Sequence, residues 1–174
     1  MRKLSKSNRL RILYGLILVG AILLDQLTKA LAVTYLAPRG SVPLWRGVLH
    51  LTYVENRGAA FGMLADHRWV FLVFSTLAIA LLGVYLFRGV SYLSDKTAEG
   101  KYPPLSPFGG VSLALIVSGG IGNMIDRIAL GYVVDFIDFT LIDFAVFNVA
   151  DSFVTVGAVL LACHLLLPLI KKKK

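Results

Sequence analysis

Four long apolar stretches alternate with short polar segments along the chain. They cover residues 10–33, 69–87, 108–127 and 147–170. A helix needs about 20 mostly apolar residues to cross the hydrocarbon core of a bilayer, so each stretch is long enough to span it. Such a helix also satisfies its own backbone hydrogen bonds inside lipid. The pattern therefore predicts four transmembrane helices in a single membrane-embedded domain of residues 1–174.

The connection between the first two stretches is roughly 35 residues long, which is enough to hold structure of its own. Apolar and polar positions alternate over residues 49–54, and this pattern predicts a short β-strand at the outer membrane surface. Pro38, Gly40 and Pro43 predict the turn before it. The small residues at 58–62 allow a close approach of another backbone. The predicted fold class is an all-α membrane protein with a small extracytoplasmic β element and loop.

Composition supports the membrane assignment. Of the 174 residues, 57% are hydrophobic and 16% are charged, and the mean hydropathy is +0.75. This composition argues against a water-soluble domain, because average chains carry about 25% charged residues. The net charge of +8 lies beside the apolar stretches, where anionic lipid and membrane orientation explain it, so no nucleic-acid partner is expected.

The distribution of Lys and Arg predicts the orientation. Twelve lie in the two tails and in the loop between the second and third stretches, against four in the other two loops. Because basic residues concentrate on the cytoplasmic side, both termini are predicted to be cytoplasmic. A cleavable signal peptide is the competing interpretation of the N-terminus. Its removal would leave three spans with no consistent orientation, so the segment is expected to remain.

Polar residues within the apolar stretches are costly in lipid, and here they converge at one depth. The residues that lie at the outward helix ends or in the short outer loop are Asp25, Asn123, Asp126, Arg127, Asp135, Asn148 and Asp151. On the third and fourth stretches they follow helical spacing and so share one face of each helix. This arrangement predicts a polar pocket near the outer membrane boundary.

Asp135 and Asp151 are the candidate chemical groups. Two carboxylates in contact do not easily both ionise, so one keeps a proton and can act as an acid while the other acts as a base. Such a pair can direct water at a peptide carbonyl without a metal or a nucleophilic side chain. Two structural alternatives stay open at this point. Asp151 could serve only as a helix cap, and either residue could belong to a salt-bridged network with Arg127.

The other ionisable side chains fit structural roles better. Asp138 and Asp143 are expected to be solvated in the outer loop. His164 and Cys163 lie lower on the fourth stretch, where packing is a simpler interpretation than metal binding. The single cysteine also excludes an intramolecular disulfide.

Five sequence blocks, in order, resemble those of the lipoprotein signal peptidase family, also called signal peptidase II. The blocks are DQLTK at 25–29, VENRGAAFG at 54–62, GGIGNMIDR at 119–127, VVDF at 133–136 and FNVADS at 147–152. The resemblance runs from the first predicted span to the last. It implies a four-helix aspartyl peptidase of the bacterial inner membrane, with its active site near the outer leaflet.

The resemblance also implies the substrate and the roles of individual residues. Such enzymes remove the signal peptide from prolipoproteins before a cysteine that carries diacylglycerol. The residues that match the catalytic aspartates are Asp135 and Asp151, those that match residues lining the site are Asn56, Asn123, Arg127 and Asn148, and Asp25 matches a supporting residue. The implied partners are the diacylglyceryl-modified prolipoprotein and membrane lipids, with no metal, no cofactor and a monomeric protein. A mobile outer segment is expected at 58–62.

A small proton or ion carrier is the rival interpretation from another functional class, because intramembrane acids also mark transport pathways. The acids of a carrier should be distributed through the membrane thickness. Here the inner halves of the spans hold almost no polar residues except His164. The one-sided cluster favours a reaction site.

Overall fold

The protein consists mostly of helices, with one small sheet. The computed structural model describes residues 5–58, 68–92 and 106–171. The helices are α1 (Lys6–Tyr35), α2 (Arg68–Tyr92), α3 (Pro107–Ala129) and α4 (Val149–Lys171), and the strands are β1 (Ser41–Trp45), β2 (Leu49–Asn56) and β3 (Val133–Asp138). A 3₁₀ turn at Thr140–Ile142 lies between β3 and α4.

Among the described residues, three helices are long and apolar enough to cross a membrane. They are α1, α3 and the Val149–Leu166 part of α4. The apolar part of α2, Leu72–Arg88, is shorter than these. A mainly helical membrane fold with a small β element is therefore confirmed, whereas the spanning role of α2 stays a prediction.

The third helix is the centre of the bundle, because it packs against α1, α2 and α4. Glycines make these approaches possible. A Cβ atom on Gly119 would overlap the backbone oxygen of Ala150 on α4, and one on Gly120 would lie 2.9 Å from the Ile79 side chain of α2. Close backbone packing of this kind is a principal source of helix association in lipid.

The outward surfaces of the helices are apolar. Leu16 on α1, Leu81 on α2 and Val159 on α4 are 67%, 71% and 57% exposed. Large contiguous apolar surfaces are rare on soluble monomers. Lipid tails solvate such a surface without cost, which agrees with a membrane-embedded bundle.

The three strands form an antiparallel sheet in the order β1-β2-β3. The strand expected at 49–54 is present as β2. One face of the sheet packs on the end of α1 through a core that includes Ala32, Leu36, Val134 and Phe136. This packing fixes β3 beside the ends of α1 and α3, and β3 carries Asp135.

The turn expected around Pro38, Gly40 and Pro43 is only partly correct. Gly40 lies in a turn with φ of +72°, but Pro43 lies inside β1, opposite His50 of β2. Proline is tolerated there because β1 is an edge strand, so the missing N–H leaves no ladder bond unmade. The chain reverses after β1 instead, where Gly47 adopts a φ of +73°.

Two sequence predictions fall largely outside the described residues. Of the segment at 58–62 that was expected to be mobile, the structure describes Gly58 alone. Of the loop between α2 and α3, the structure describes Ser106 alone.

Candidate functional site

Four elements bring polar side chains together at one end of the bundle. The end of β2 supplies Asn56, and the last turns of α3 supply Asn123 and Arg127. Asp135 comes from the middle of β3 and Asp151 from the first turn of α4. These five side chains line one cavity of about 480 Å³. The two candidate carboxylates therefore face the same space, although they come from different elements.

Another part of the cavity wall is apolar. It is formed by Phe144, Val146 and Phe147 from the segment before α4, and by Val156 from the second turn of α4. The rings of Phe144 and Phe147 meet edge to face, with centroids 5.9 Å apart. The cavity thus joins an apolar wall to a cluster of carboxylates and amides.

Asp151 forms a reciprocal cap with Asn148 at the start of α4. The backbone N–H of Asp151 donates to Asn148 Oδ1 at 2.9 Å, and the backbone N–H of Asn148 donates to Asp151 Oδ2 at 3.2 Å. This is the capping-box arrangement, in which two otherwise unpaired helix N–H groups are satisfied. The capping interpretation of Asp151 is therefore correct, yet the same carboxylate also lines the cavity.

Asp135 is 2% exposed and accepts two amide hydrogen bonds. Asn56 Nδ2 donates to its Oδ2 at 2.9 Å, and Asn148 Nδ2 donates to its Oδ1 at 2.7 Å. Burial raises the pKa of the Asp135 carboxyl to about 6, because loss of water disfavours the charged form. The Asn56 and Asn148 amides oppose the rise in pKa, and the charge of Asp151 adds to it.

Two asparagine amides connect the carboxylates. Asn148 Nδ2 donates to Asn123 Oδ1 at 3.0 Å as well as to Asp135, and Asn123 Nδ2 donates to Asp151 Oδ1 at 2.7 Å. In the described part of the chain, the carboxylates of Asp135 and Asp151 share no direct hydrogen bond. Asn148 therefore contacts both acids, through its amide on one side and through the helix cap on the other.

The salt-bridged network at these helix ends is built on Lys29, which is not among the site residues predicted from the sequence. Lys29 is 3% exposed, and its Nζ lies 3.0 Å from Asp25 Oδ2 and 3.1 Å from Asp126 Oδ2. It also donates to Asn123 Oδ1 at 2.8 Å. Its sequence signals were its place in the DQLTK block and an Asp four residues before it near a span end, a pattern that a lipid-flanking lysine also produces.

Arg127 lines the cavity and donates from Nη2 to the backbone oxygen of Gly58 at 3.2 Å. Asn56 Oδ1 accepts from the backbone N–H of the same glycine at 3.0 Å. Arg127 and Asn56 therefore fix the chain where it leaves β2 beside the cavity. Lys29 is the cation of the ion pairs with Asp25 and Asp126, and the salt-bridged network expected around Arg127 stays a prediction.

Asp25 lies behind the cavity and is fully buried. Its Oδ1 accepts from the backbone N–H of Ala150 at 2.9 Å, and its Oδ2 contacts Lys29. The carboxylate thus ties α1 to the first turn of α4, which carries Asp151. This position agrees with the supporting role that the resemblance implied.

The remaining acids and His164 lie away from the cavity. Asp138 is half-buried at the end of β3, where it accepts from Thr52 Oγ1 at 2.7 Å, so the expectation of a solvated loop position was wrong for this residue. Asp143 is an exposed residue with φ of 50° after the 3₁₀ turn. His164 contacts Ser106 and Phe108 at the start of α3. Cys163 is exposed.

Comparison with known proteins adds an independent finding. The family model for signal peptidase (SPase) II matches residues 16–167. A lipoprotein signal peptidase of Clostridioides difficile strain 630 is 43% identical over 154 residues, which are 88% of this chain and 95% of that protein. One from Caldanaerobacter subterraneus subsp. tengcongensis is 48% identical over 140 residues, 80% of this chain and 86% of that protein.

Solved structures of bacterial membrane enzymes have the same fold. One superposes with a TM-score of 0.72 at 31% identity, covering 92% of this chain and 91% of that one. A second has a TM-score of 0.70 at 33% identity, covering 88% and 92%.

Proposed function

This chain belongs to the signal peptidase II family of aspartic-type membrane proteases, and we propose that it removes the signal peptide from prolipoproteins, hydrolysing the bond before a diacylglyceryl-modified cysteine. The observation that carries this proposal is the shared cavity. Asp135 and Asp151 line it together, and an apolar wall completes it. Lipoprotein signal peptidase is also the name of the relatives that match most of the chain.

In the proposed reaction, Asp135 acts as the general acid and Asp151 as the general base. Asp135, whose pKa is raised by burial, holds the shared proton, and Asp151 is the charged partner. Asp151 takes a proton from water as the water oxygen bonds to the peptide carbonyl carbon, and Asp135 gives its proton to the carbonyl oxygen. In the second step the C–N bond breaks, Asp151 protonates the leaving amine, and a hydroxyl of the tetrahedral intermediate returns a proton to Asp135.

The neighbouring groups support this chemistry. Asn56 and Asn148 orient the Asp135 carboxyl through both of its oxygens, while Asn123 orients Asp151. Arg127, at the cavity edge, supplies positive charge and holds Gly58 next to the bound peptide. Preoriented donors of this kind stabilise developing charge at little reorganisation cost.

The apolar wall suits the lipid on the substrate. A diacylglyceryl group stays in the bilayer, so the peptide bond beside it has to meet water at the membrane boundary. Phe144, Val146 and Phe147 give the cavity a surface that acyl chains can contact. No metal or cofactor takes part in the proposed reaction.

The proposed setting is the inner membrane of a bacterium. All four helices cross it as one domain, both termini are cytoplasmic, and the sheet and active site lie near the outer leaflet. The excess of Lys and Arg in the tails supports this orientation. We propose that the protein acts as a monomer and binds no nucleic acid.

The proposal is tested by reconstituting the purified protein in lipid vesicles with a diacylglyceryl-modified prolipoprotein. Mass spectrometry is expected to find a new N-terminus at the modified cysteine. The matched control is the same prolipoprotein without the lipid, which should remain uncut. Cleavage at another bond, or equal cleavage of both substrates, would contradict the proposal. Proton flux across the same vesicles tests the alternative function of a proton or ion carrier, because a carrier would conduct protons and a peptidase would not. The similarity to lipoprotein signal peptidases does not favour the carrier.

The proposed proton on Asp135 predicts a pH dependence. That proton is present below the raised pKa of about 6 and is lost above it. We therefore expect kcat/KM to fall above about pH 6, approaching tenfold per pH unit, as the acid form disappears. Initial rates between about pH 5 and about pH 8.5 test this. A profile that keeps rising to the alkaline end would contradict the assignment of the proton to Asp135.

Two substitutions at Asn148 distinguish its role as a helix cap from its amide bridge, the pair of hydrogen bonds that its Nδ2 donates to Asp135 and Asn123. Asn148→Ser keeps a good capping oxygen but lacks the amide that reaches Asp135 and Asn123. We expect normal thermal stability to within about 1 kcal/mol, with a fall in kcat of roughly 10²-fold. Asn148→Ala should lose both stability and activity. Full activity in a folded Asn148→Ser variant would show that the bridge is unimportant for the reaction.

A further inference from the structure

Lys29 is a buried cation that does not line the cavity, yet it contacts a residue that does. Its Nζ is surrounded by Asp25 Oδ2, Asp126 Oδ2 and Asn123 Oδ1 at 2.8–3.1 Å. A single cation between two buried carboxylates leaves one excess negative charge. The Gln26 amide partly compensates for it, because its Nε2 donates hydrogen bonds to Asp25 and Asp126, each at 3.1 Å. Buried charges are costly unless they are paired in this way.

The contact with Asn123 has a directional consequence. The two ends of an asparagine amide are nearly the same size but differ in chemistry, one accepting and one donating. An ammonium donor holds the oxygen of Asn123 towards α1, so Nδ2 has to point towards α4, where it donates to Asp151 Oδ1 at 2.7 Å. The reversed amide would place N–H groups against Lys29 and an oxygen against a carboxylate.

We propose that Lys29 is a positioning residue, which orients Asn123 so that the Asn123 amide holds Asp151 in its reactive geometry. The inference rests on the proposed function, because Asp151 is the base of that reaction. Lys29, the last residue of the DQLTK segment, thus acts on the cavity through a single side chain, that of Asn123. Lys29 itself touches neither substrate nor reacting atoms.

Lys29 also brings positive charge near the acids. Among the residues that the structure describes, the charged side chains around the pair are Lys29 from α1 and Arg127 from α3, with Asp25 and Asp126 around Lys29, while β2 contributes the neutral Asn56. The Lys29 charge lowers the pKa of Asp135 and so opposes the effect of burial. Loss of this cation is therefore expected to raise the pKa of Asp135 and to move the fall of kcat/KM at alkaline pH to higher pH.

The test compares two variants that differ only at residue 29. Lys29→Met alone would leave Asp25 and Asp126 buried without their cation, which can unfold a protein. Asp126→Asn is therefore used as the background, and Lys29→Met is added to it, so that one negative and one positive charge are removed together. Relative to Asp126→Asn, we expect kcat of the double variant to fall by at least about tenfold with KM changed by less than about threefold. The alkaline limb of the pH profile, which reports loss of the Asp135 proton, should move up by about one pH unit.

A third variant keeps the proposal open to refutation if the double variant does not fold. Asn123→Asp retains an oxygen for Lys29 but cannot donate to Asp151, and it should lose kcat to a similar extent. Equal kcat and equal pH profiles in Asp126→Asn and the double variant, or full kcat in Asn123→Asp, would overturn the positioning role. If the unsubstituted protein fails to cleave the lipid-modified prolipoprotein, the proposed function itself has failed.

Discussion

Replacing Asp135 by Asn is expected to lower kcat/KM for prolipoprotein cleavage by at least about 10³-fold, the scale of losing a positioned acid or base. The amide has almost the shape of the carboxyl but cannot carry the shared proton. It also places an NH₂ group against Asn56 or Asn148, both of which donate to Asp135. The rate of signal-peptide release from a lipid-modified prolipoprotein in vesicles measures the loss.

Asp138→Asn is the matched control, because it makes the same chemical change on the same strand. Asp138 bonds to Thr52 and lies outside the cavity lining. We expect it to retain at least about half of the original rate, as surface substitutions generally do. Thermal unfolding of both variants shows whether a slower cleavage rate comes from loss of the catalytic group or from loss of the folded structure. A folded Asp135→Asn protein that cleaves as fast as Asp138→Asn would refute the role of Asp135.

The second large effect is expected from one added methyl group. A Cβ at Gly119 on α3 would overlap the backbone oxygen of Ala150 and lie 2.8 Å from a methyl carbon of Val154. Backbone atoms cannot rotate away, so Gly119→Ala has to push α4 from α3. We expect a loss of about 1–3 kcal/mol in stability, typical of overpacking, and a fall in kcat of about 10²-fold. The catalytic loss follows because Ala150 directly precedes Asp151.

Gly20→Ala provides the control for Gly119→Ala. Nothing lies within 4 Å of the Cβ position at Gly20 on α1. Its stability and cleavage rate should equal those of the unsubstituted protein. Denaturant unfolding in detergent and cleavage rates in vesicles measure both variants. If Gly119→Ala is as stable and as active as Gly20→Ala, the close α3–α4 contact does not position the site.

Hydropathy was sufficient to predict the helices, because each apolar stretch is long and bounded by charge. It could not predict β3. A strand with one solvated face alternates apolar and polar residues. Residues 133–136 of β3 are all buried, so no alternation appears in the sequence. Asp135 in the middle of the strand is also a residue type that strands disfavour, so the sequence suggested a loop.

Helical spacing predicted the cavity-lining positions of Asn123, Arg127 and Asp151. It also placed Asp126 in the pocket, whereas the Asp126 carboxylate lies outside the cavity lining and pairs with Lys29, and it did not predict the Lys29 network. A lysine near a span end usually extends its charged end to the membrane surface, and only coordinates reveal that Lys29 points inward between Asp25 and Asp126. The orientation of the Asn123 amide is equally invisible in a sequence. Both depend on the contact between Lys29 and Asn123, which lie 94 positions apart in the chain.

The sequence offered a cap and a catalyst as alternative roles for Asp151, but the two are compatible. The cap uses Oδ2 and the Asn123 amide uses Oδ1, and each carboxylate oxygen has a second lone pair. The helix start therefore fixes the direction of the same carboxylate that faces the cavity. The hydrogen bond of the cap therefore holds the Asp151 carboxylate in a fixed orientation before substrate binds.

The central claim is that Asp135 and Asp151 act as one unit. It is tested most directly by the cleavage rates of Asp135→Asn, Asp151→Asn and the variant that carries both changes. Residues that act together give non-additive losses, so the double variant should retain the same small residual rate as each single variant. Losses that multiply in the double variant, or a single variant within about tenfold of the unsubstituted rate, would contradict it.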